Sequence, residues 1–267
     1  MGKRKSQVRA LFIELIETDI NKRNIAIFII PIILSLIVCY VIKDLIYNSY
    51  LETRTSGFTL VSACIWIGIF NCIQSICSIR SRIKIQYIQG MSIGAFVLAN
   101  VLYELLISLI QAVLVSLVFF SMVEYNDNFI FISTIFEYFL IIFLVIFSSS
   151  MLGLMLSSFS KNSTNAMTII PFILVLQMIL SNALFSLNEF LDKCSLLMIS
   201  RWGIDGIGTI CNVEKMVDYT KASFPEITYQ YSQNHFLMIC FILFGFTLIY
   251  IVITILRLKR IDRESLF

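Results

Sequence analysis

Two acidic residues stand inside apolar stretches of the sequence, where a carboxylate could serve proton chemistry. Glu104 interrupts the apolar run from Ser92 to Val123, and Glu137 lies close to the start of a later run. Ionisable groups inside a membrane span are costly and often carry protons in pumps and transporters. Each acid, however, borders a clean apolar segment. Each can therefore lie near a membrane interface, Glu104 on the inside and Glu137 on the outside.

The neighbours of Glu104 along the chain offer a second interpretation. Asn100, Glu104, Ser108 and Gln111 recur at helical spacing and share one face of a helix. Polar side chains on a membrane helix commonly form hydrogen bonds to neighbouring helices. We expect hydrogen bonding between helices as the role of this stripe, with a proton relay as the alternative.

The sequence contains no recognisable catalytic or metal-binding constellation. It has no G-x-x-x-x-G-K-S/T phosphate-binding loop, no H-E-x-x-H, no G-x-S-x-G and no C-x-x-C, and His235 is its one histidine. We therefore predict that the chain is not an enzyme and binds no metal or cofactor of its own. Cys194 and Cys211 fall in one long polar loop, where they could form a disulfide or remain buried thiols.

The composition is that of a membrane protein. Hydrophobic residues make up 58% of the chain and charged residues 14%, with a mean hydropathy of +0.89. Soluble domains are about 25% charged, so this chain has too little polar surface to cover a core in water. Its net charge of +3 is small and gives no indication of nucleic-acid binding.

Six apolar segments predict an all-α integral membrane protein with six transmembrane helices. The predicted spans are Ile25–Ile42, Phe58–Ser78, Leu105–Val123, Phe129–Ser157, Asn165–Ser186 and His235–Leu256. The third span has a lead-in from Ser92. As one helix this run would be about 48 Å long against roughly 30 Å of hydrocarbon, so we expect the lead-in at one membrane face. The polar segment that precedes the run, residues 80–90, is typical of a docking site for a component outside the membrane that drives the membrane protein.

Two segments complete the predicted organisation. Residues 1–24 predict a cytoplasmic amphipathic helix on the membrane interface, serving as an anchor or presenting its polar face to a soluble partner. Its apolar positions recur every three or four residues: Val8, Leu11, Phe12, Leu15 and Ile16. Residues 25–267 form the six-helix domain. Within its external loop, residues 187–234, an apolar stretch predicts a small helical cap before the last span.

The distribution of basic residues predicts the orientation. With the N-terminus inside, the cytoplasmic segments hold fourteen lysines and arginines and the opposite side holds six. Short cytoplasmic loops are enriched in basic residues, so both termini are expected in the cytoplasm.

Small and polar residues on two spans suggest a substrate pathway. The second span carries a stripe of small or polar residues: Cys64, Gly68, Asn71, Ser75 and Ser78. Small residues let membrane helices approach closely, so this face should point at protein or a cavity. The fifth span carries polar residues and Pro171, which can kink it. The pathway candidates are Asn71, Ser75, Thr168, Phe172 and Gln177, and the candidates for an outer gate are Leu184 and Phe185.

At three places the sequence resembles a permease of the type-2 ABC exporter family, which includes the G-subfamily pumps. One is Ile85-Gln-Tyr-Ile-Gln-Gly-Met-Ser92 followed by Ala95-Phe-Val-Leu-Ala-Asn-Val-Leu-Tyr-Glu-Leu105, which is similar to the family's coupling segment. Another is Leu152-Gly-Leu-Met-Leu-Ser-Ser-Phe-Ser-Lys-Asn162 with Asn165, Ala166 and Pro171. The third is Ser200-Arg-Trp-Gly-Ile-Asp205 in the last external loop. Gln86 and Gln89 stand where the family usually has an acid.

The resemblance implies a permease subunit of an exporter in the cell membrane, moving an amphipathic peptide, lipid-like or drug-like substrate. The Ile-, Lys- and Asn-rich composition suggests a bacterial source. It implies a separate ATPase subunit that binds ATP and Mg and a second permease, identical or paralogous, with the second and fifth spans lining a shared cavity. The residues expected to contact the ATPase are Arg82, Lys84, Gln86, Tyr87 and Gln89. A proton-coupled secondary transporter and a membrane scaffold or sensor are the alternatives, and membrane lipid is a further partner.

Overall fold

The computed structural model describes residues 2–21, 25–125, 129–185, 187–216 and 229–260, and within these ranges the chain is helical with no strand. Parts of the predicted segments, namely residues 1, 22–24, 126–128, 186, 217–228 and 261–267, lie outside the described residues. The α-helices are α1 (Gly2–Asn21), α2 (Ala26–Ile42), α3 (Tyr50–Cys72), α4 (Arg80–Ile88), α5 (Ile93–Met122), α6 (Thr134–Phe159), α7 (Ser163–Ile179), α8 (Glu189–Ser195), α9 (Ile199–Ile210) and α10 (Gln233–Leu258).

Six of these helices are apolar, in agreement with the predicted class. Four helical segments of the described chain are long and apolar enough to cross a membrane: Tyr50–Ile88, which holds α3 and α4, and then α5, α6 and α10. Helices α2 and α7 have 17 residues each. They rise about 26 Å, slightly less than the roughly 30 Å of hydrocarbon. The prediction of an all-α membrane protein is confirmed.

Several helix boundaries differ from the predicted spans. Helix α3 begins at Tyr50 rather than at Phe58, because Ser49 caps it and accepts a hydrogen bond from the Glu52 amide. Helix α6 begins at Thr134 rather than at Phe129, where Ser133 plays the same capping role. Polar capping turns carry no hydropathy signal, so a prediction based on apolar runs places such boundaries wrongly.

The long third segment is one continuous helix. Helix α5 runs without interruption from Ile93 to Met122, so the predicted lead-in and span are parts of the same element. Its early residues are buried on one side against α1 and α6. Since the helix is longer than the hydrocarbon is thick, part of it must tilt or project beyond the apolar layer.

The centre of the fold is the contact between α3 and α6. A Cβ atom placed on Gly68 of α3 would lie 2.4 Å from the Ile146 carbonyl oxygen, and one on Gly153 of α6 would lie 2.7 Å from the Ile69 carbonyl oxygen. Only glycine permits backbones to approach this closely. Gly68 of the stripe on the second span and Gly153 of α6 therefore belong to packing surfaces, as small residues in membrane helices commonly do.

The predicted external cap is helical. Helix α9 packs against α3, α6 and α10, and most of its residues are buried. Ser200 joins it to the end of α7: its amide donates to Gln177 Oε1 over 3.0 Å, and its hydroxyl donates to the Gln177 carbonyl oxygen over 2.5 Å. The cap is thus fixed to the bundle rather than held loosely above it.

The N-terminal helix α1 is confirmed as a helix and lies along α5. Gln7 bridges it to the turn before α5, since its amide nitrogen donates to the Gly90 carbonyl and its amide oxygen accepts from the Ser92 amide, each over 3.3 Å. Glu14 forms an ion pair with Arg82 of α4. The helix therefore contacts both the turn at 90–92 and the short helix that precedes it.

Candidate functional site

A cavity of about 880 Å³ lies between α1, α2, α3, α4 and α5. Pockets for small molecules commonly have volumes of about 300–1,000 Å³. Helix α2 contributes only apolar residues to the wall: Ala26, Ile27, Ile30, Pro31, Ile33, Leu34 and Ile37. The facing wall, from α3, the turn between α3 and α4, and α5, is mixed and includes these polar residues: Asn71, Gln74, Ser75, Ser78, Asn100, Tyr103 and Glu104. The cavity is therefore amphipathic, with one apolar side and one side that mixes polar and apolar residues.

A hydrogen-bonded node joins the three helices around this cavity. Pro31 has no amide hydrogen, so the carbonyl of Ile27, one turn earlier in α2, loses its helical donor. Gln111 of α5 donates to that carbonyl oxygen over 2.9 Å. The same side chain exchanges two hydrogen bonds with Asn71 of α3, over 2.7 and 3.1 Å. Gln111 thus satisfies the group that Pro31 frees and ties α2 to α3 and α5.

The other members of the α5 stripe make different contacts. Asn100 donates to the Phe96 carbonyl of its own helix over 2.9 Å, and the Ser108 and Ser150 hydroxyls are 3.5 Å apart across α5 and α6. Glu104 is 5% exposed, lines the cavity and lies in contact with the Cys72 thiol. The expected hydrogen bonding between helices is found for Gln111 and Ser108, whereas Asn100 bonds within its helix.

Glu137, the second intramembrane acid of the sequence, has a structural role. Its carboxylate oxygen Oε1 accepts hydrogen bonds from the amides of Ile130 (2.8 Å) and Phe131 (2.5 Å), and the side chain is fully buried. It therefore holds the segment that enters α6. A carboxylate engaged with backbone amides at a helix start favours a structural over a proton-carrying role.

The structure separates the predicted pathway residues. Asn71 and Ser75 line the cavity, but Thr168 and Phe172 lie on the exposed side of α7, with Phe172 69% exposed. Gln177 is buried against Ser200 of the cap. Among the described residues of α7, Met167 alone reaches the cavity wall. The two predicted stripes therefore do not face one cavity within a single chain.

The predicted outer gate does not form part of a helix. Helix α7 ends at Ile179, and Leu184 and Phe185 lie beyond it in a bent segment, 46% and 59% exposed. The helix is shorter than the predicted fifth span, Asn165–Ser186, so Leu184 and Phe185 follow it rather than belong to it, and their role as an outer gate stays a prediction. That segment instead supplies the Asn182 carbonyl that accepts a hydrogen bond from Arg54.

The predicted ATPase-contacting segment forms the short helix α4. Lys84, Gln86 and Tyr87 are half-buried and Gln89 is exposed, while Arg82 is exposed but already paired with Glu14. Arg82 and Gln86 also line the cavity mouth. The prediction thus located the helix but not its most exposed apolar residues, which are Ile85 (52% exposed) and Ile88 (70%). The sequence pattern that could have identified them is a pair of isoleucines three residues apart in a polar segment.

Helix α4 is firmly joined to the bundle. Arg80 donates to the carbonyl oxygens of Ser158 and Ser160, over 2.9 and 3.1 Å, at the end of α6. The Ser157 hydroxyl accepts from the amides of Ile76 and Cys77, each over 3.1 Å, where the chain turns between α3 and α4. A displacement of α4 would therefore be transmitted to α6 as well as to α1.

Cys194 and Cys211 are both free thiols in the structure. Cys211 is buried, its sulfur 2.9 Å from the Tyr138 hydroxyl, which in turn lies 2.8 Å from the Tyr47 hydroxyl. Burial raises the pKa of Cys211 to about 12. The disulfide alternative is therefore not found. Cys211 is buried against Tyr138 of α6, whereas Cys194 is half-buried on α8.

Asp205 of the cap is a titratable group whose environment the sequence did not reveal. It is 8% exposed, and its burial raises its pKa to about 7, although Arg201 and Arg54 act in the opposite direction. Arg201 is paired with Asp192, in the first turn of α8. The cap thus contains an acid that titrates near neutral pH.

An apolar helical bundle with an internal amphipathic cavity, an interfacial helix and a short helix carrying exposed isoleucines is the architecture of a membrane transport subunit. The family model of the ABC-2 type transporter matches residues 14–210, most of the chain, and the protein belongs to this family. It is a multi-pass membrane permease of the ABC type, a transport subunit without an ATPase site of its own. A comparison with curated proteins gave no significant match.

Proposed function

We propose that this chain is the permease subunit of an ATP-driven exporter that moves amphipathic molecules out of the cell. ABC-2 permeases generally work with an ABC ATPase subunit. ATP and Mg would bind to that partner. The proposal places six spans in the cell membrane, both termini in the cytoplasm and residues 187–234 outside, as the distribution of basic residues favours.

The observation that carries this proposal is the geometry of α4. Ile85 and Ile88, one helical turn apart, form an exposed apolar patch on a helix whose other exposed residues are polar. Exposed apolar side chains on a short helix commonly mark a contact surface. The patch would insert into a groove of the ATPase subunit. Hydrolysis would then move α4, and Arg80 and Gln7 would pass that movement to the bundle.

A second copy or a paralogue would pack against the exposed side of α7. Only one stripe of that helix is buried within the chain, at Ala166, Ile170 and Leu174. Phe172 and Val175 on its other side are 69% and 51% exposed. With Thr168 they would face the partner, so that these three residues from each of two chains together would enclose the substrate route.

The test is an ATPase and export measurement on the reconstituted complex carrying Ile88→Glu. A carboxylate in an apolar groove is costly to desolvate, so we expect at least a tenfold loss of ATPase binding or of ATP-driven export. Leu197→Glu is the matched control, since Leu197 is 66% exposed but lies in the external cap. Normal assembly and export by a well-folded Ile88→Glu protein would contradict the proposal.

A further inference from the structure

The cavity of about 880 Å³ changes in character along its length. On α3 the first residues that line it, in sequence order, are largely apolar: Trp66, Ile67 and Phe70. The lining residues that follow along the chain toward α4 include four polar ones: Asn71, Gln74, Ser75 and Ser78. Arg82 and Gln86 of α4 continue this end of the wall. One end of the cavity is therefore largely apolar, and the end near α4 is polar.

Helices α2 and α5 agree with this division. The polar lining residues of α5 lie on the turns before Gln111: Asn100, Tyr103 and Glu104. Gln111 itself bonds to the Ile27 carbonyl, so α2 begins beyond those turns and runs along the apolar end. The lining residues of α2 extend from Ala26 to Ile37, a rise of about 16 Å. This length is close to one leaflet, which is half of the roughly 30 Å of hydrocarbon.

The polar groups in the middle of the cavity already have partners within the protein. The hydroxyls of Ser75 and Ser78 donate to the carbonyl oxygens of Cys72 and Gln74, over 2.7 and 2.6 Å. Both asparagines of the lining are bonded as described above, and Glu104 interacts with the Cys72 thiol. This part of the wall therefore requires no polar ligand. The charged contacts for a ligand lie at the mouth.

The mouth, at α1 and α4, carries two opposite charges. Glu14 and Arg82 form an ion pair there, and their side chains are 42% and 61% exposed. The pair engages Nη2 of Arg82, and a guanidinium has several further N–H donors. A phosphate can therefore approach Arg82 while an ammonium approaches Glu14. A head group that carries both charges matches this mouth, whereas a purely anionic head would meet repulsion from Glu14.

The apolar end opens at the protein surface that faces the membrane. Ile30, Ile33 and Ile37 line the cavity and are each more than half exposed. A hydrocarbon chain can therefore enter sideways from the leaflet and lie along α2. Because the polar mouth is at the α1–α4 end, the head of the same molecule would remain at the cytoplasmic face.

We propose that this cavity holds a zwitterionic phospholipid of the inner leaflet, with one acyl chain along α2, its phosphate at Arg82 and its ammonium at Glu14. The proposal goes beyond the proposed function, because this lipid is held by the permease rather than exported. It uses from that function only the orientation of the chain in the membrane.

Native mass spectrometry of the full-length chain tests the proposal by counting bound lipid. The delipidated chain in detergent is mixed with equal amounts of phosphatidylethanolamine and phosphatidylglycerol that carry the same acyl chains. Lipid that stays bound is measured as the collision energy rises. We expect one phosphatidylethanolamine to outlast all other lipid, with about tenfold less phosphatidylglycerol, which is the effect of losing one hydrogen bond to a charged group.

Two pairs of variants decide whether the retained lipid occupies this cavity. Ile33→Phe narrows the apolar wall and should lower retention about tenfold, as overpacking of a filled site does. Ile29→Phe is its control, because Ile29 is similarly exposed on α2 but does not line the cavity. Arg82→Gln and Glu14→Gln both remove the ion pair, but only the first removes the donor for the phosphate. Arg82→Gln should therefore lose the lipid, whereas Glu14→Gln should retain phospholipid and no longer discriminate against phosphatidylglycerol.

Four results would overturn the proposal. These are the absence of a lipid that outlasts the others, equal retention of the two phospholipids by the unmodified chain, equal effects of the two isoleucine variants, or equal effects of Arg82→Gln and Glu14→Gln. Should Arg82→Gln fail to fold, the isoleucine pair still decides the question. The measurement requires neither ATP nor the partner, so its failure leaves the Ile88→Glu test of the proposed function intact.

Discussion

Replacing Gln111 by leucine should destabilise the bundle, because it removes the donor that compensates for Pro31. The change deletes the hydrogen bond to the Ile27 carbonyl (2.9 Å) and both bonds to Asn71 (2.7 and 3.1 Å). Side-chain hydrogen bonds between membrane helices contribute about 0.6 kcal/mol each on average, so the three bonds account for about 2 kcal/mol. The two polar groups left without partners add to this loss. We expect a total of about 2–4 kcal/mol.

A double-mutant cycle can show whether the destabilisation comes from the lost hydrogen bond to the Ile27 carbonyl or from a general loss of packing. Pro31→Ala restores an amide hydrogen at residue 31, which can donate to the Ile27 carbonyl as in an uninterrupted helix. If that carbonyl is what Gln111 satisfies, Gln111→Leu should cost at least about 1 kcal/mol less in the Pro31→Ala background. Non-additivity of this size is expected only for residues that share a partner.

The four proteins of the cycle would be compared by reversible unfolding in mixed micelles, with helical circular dichroism as the signal. The temperature at which each protein is inactivated provides a second measure of its stability. Equal effects of Gln111→Leu with and without Pro31 would refute the reasoning. They would mean that the Ile27 carbonyl is satisfied in another way and that Gln111 contributes packing alone.

Two further predictions concern the packing and the cap. Gly68→Ala should destabilise the protein by several kcal/mol, since the added methyl group would lie 2.4 Å from a carbonyl oxygen of α6, whereas Gly245→Ala, with open space around it, should be nearly neutral in the same unfolding assay. For Asp205 the folded pKa is about 7, above its ordinary value of 3.8, so the folded state retains a proton that the unfolded state releases. Stability should therefore fall as pH rises from about 4 to about 7, by at most roughly 1.4 kcal/mol per pH unit, and Asp205→Asn should flatten this slope.

The class of protein was predictable from the sequence because composition decides it. A chain with 14% charged residues cannot cover a water-facing surface, and its apolar runs have few alternatives to helices in lipid. Gly68, in the small-residue stripe of the second span, also carried a usable signal, since close approach of two helices requires a small residue. Boundaries set by caps, such as Ser49 before α3, were not predictable from hydropathy.

Which face of a helix lines a cavity was harder to predict, because lipid-facing and protein-facing surfaces of a membrane helix are both apolar. Asn71 and Ser75 line a cavity, whereas Phe172 is exposed and Gln177 holds the cap, and a substrate pathway through these residues stays a prediction. Pro31 was visible inside the first apolar run, yet its consequence depends on Gln111, far along the chain. Long-range partners of this kind require the three-dimensional arrangement.

Arg82 connects the cavity to α4, the helix on which the ATPase subunit is proposed to act. This residue belongs to α4, lines the cavity and pairs with Glu14 of α1. Ile85 and Ile88 lie on the same short helix and are free to contact a partner. A movement of α4 by the ATPase would therefore shift Arg82 relative to α1 and change the charged end of the cavity directly. Because Arg80 also ties α4 to α6, the same movement would reach the Gly153 contact with α3. One short helix thus reaches both the cavity entrance and the central packing of the bundle, which a transport cycle must alter together.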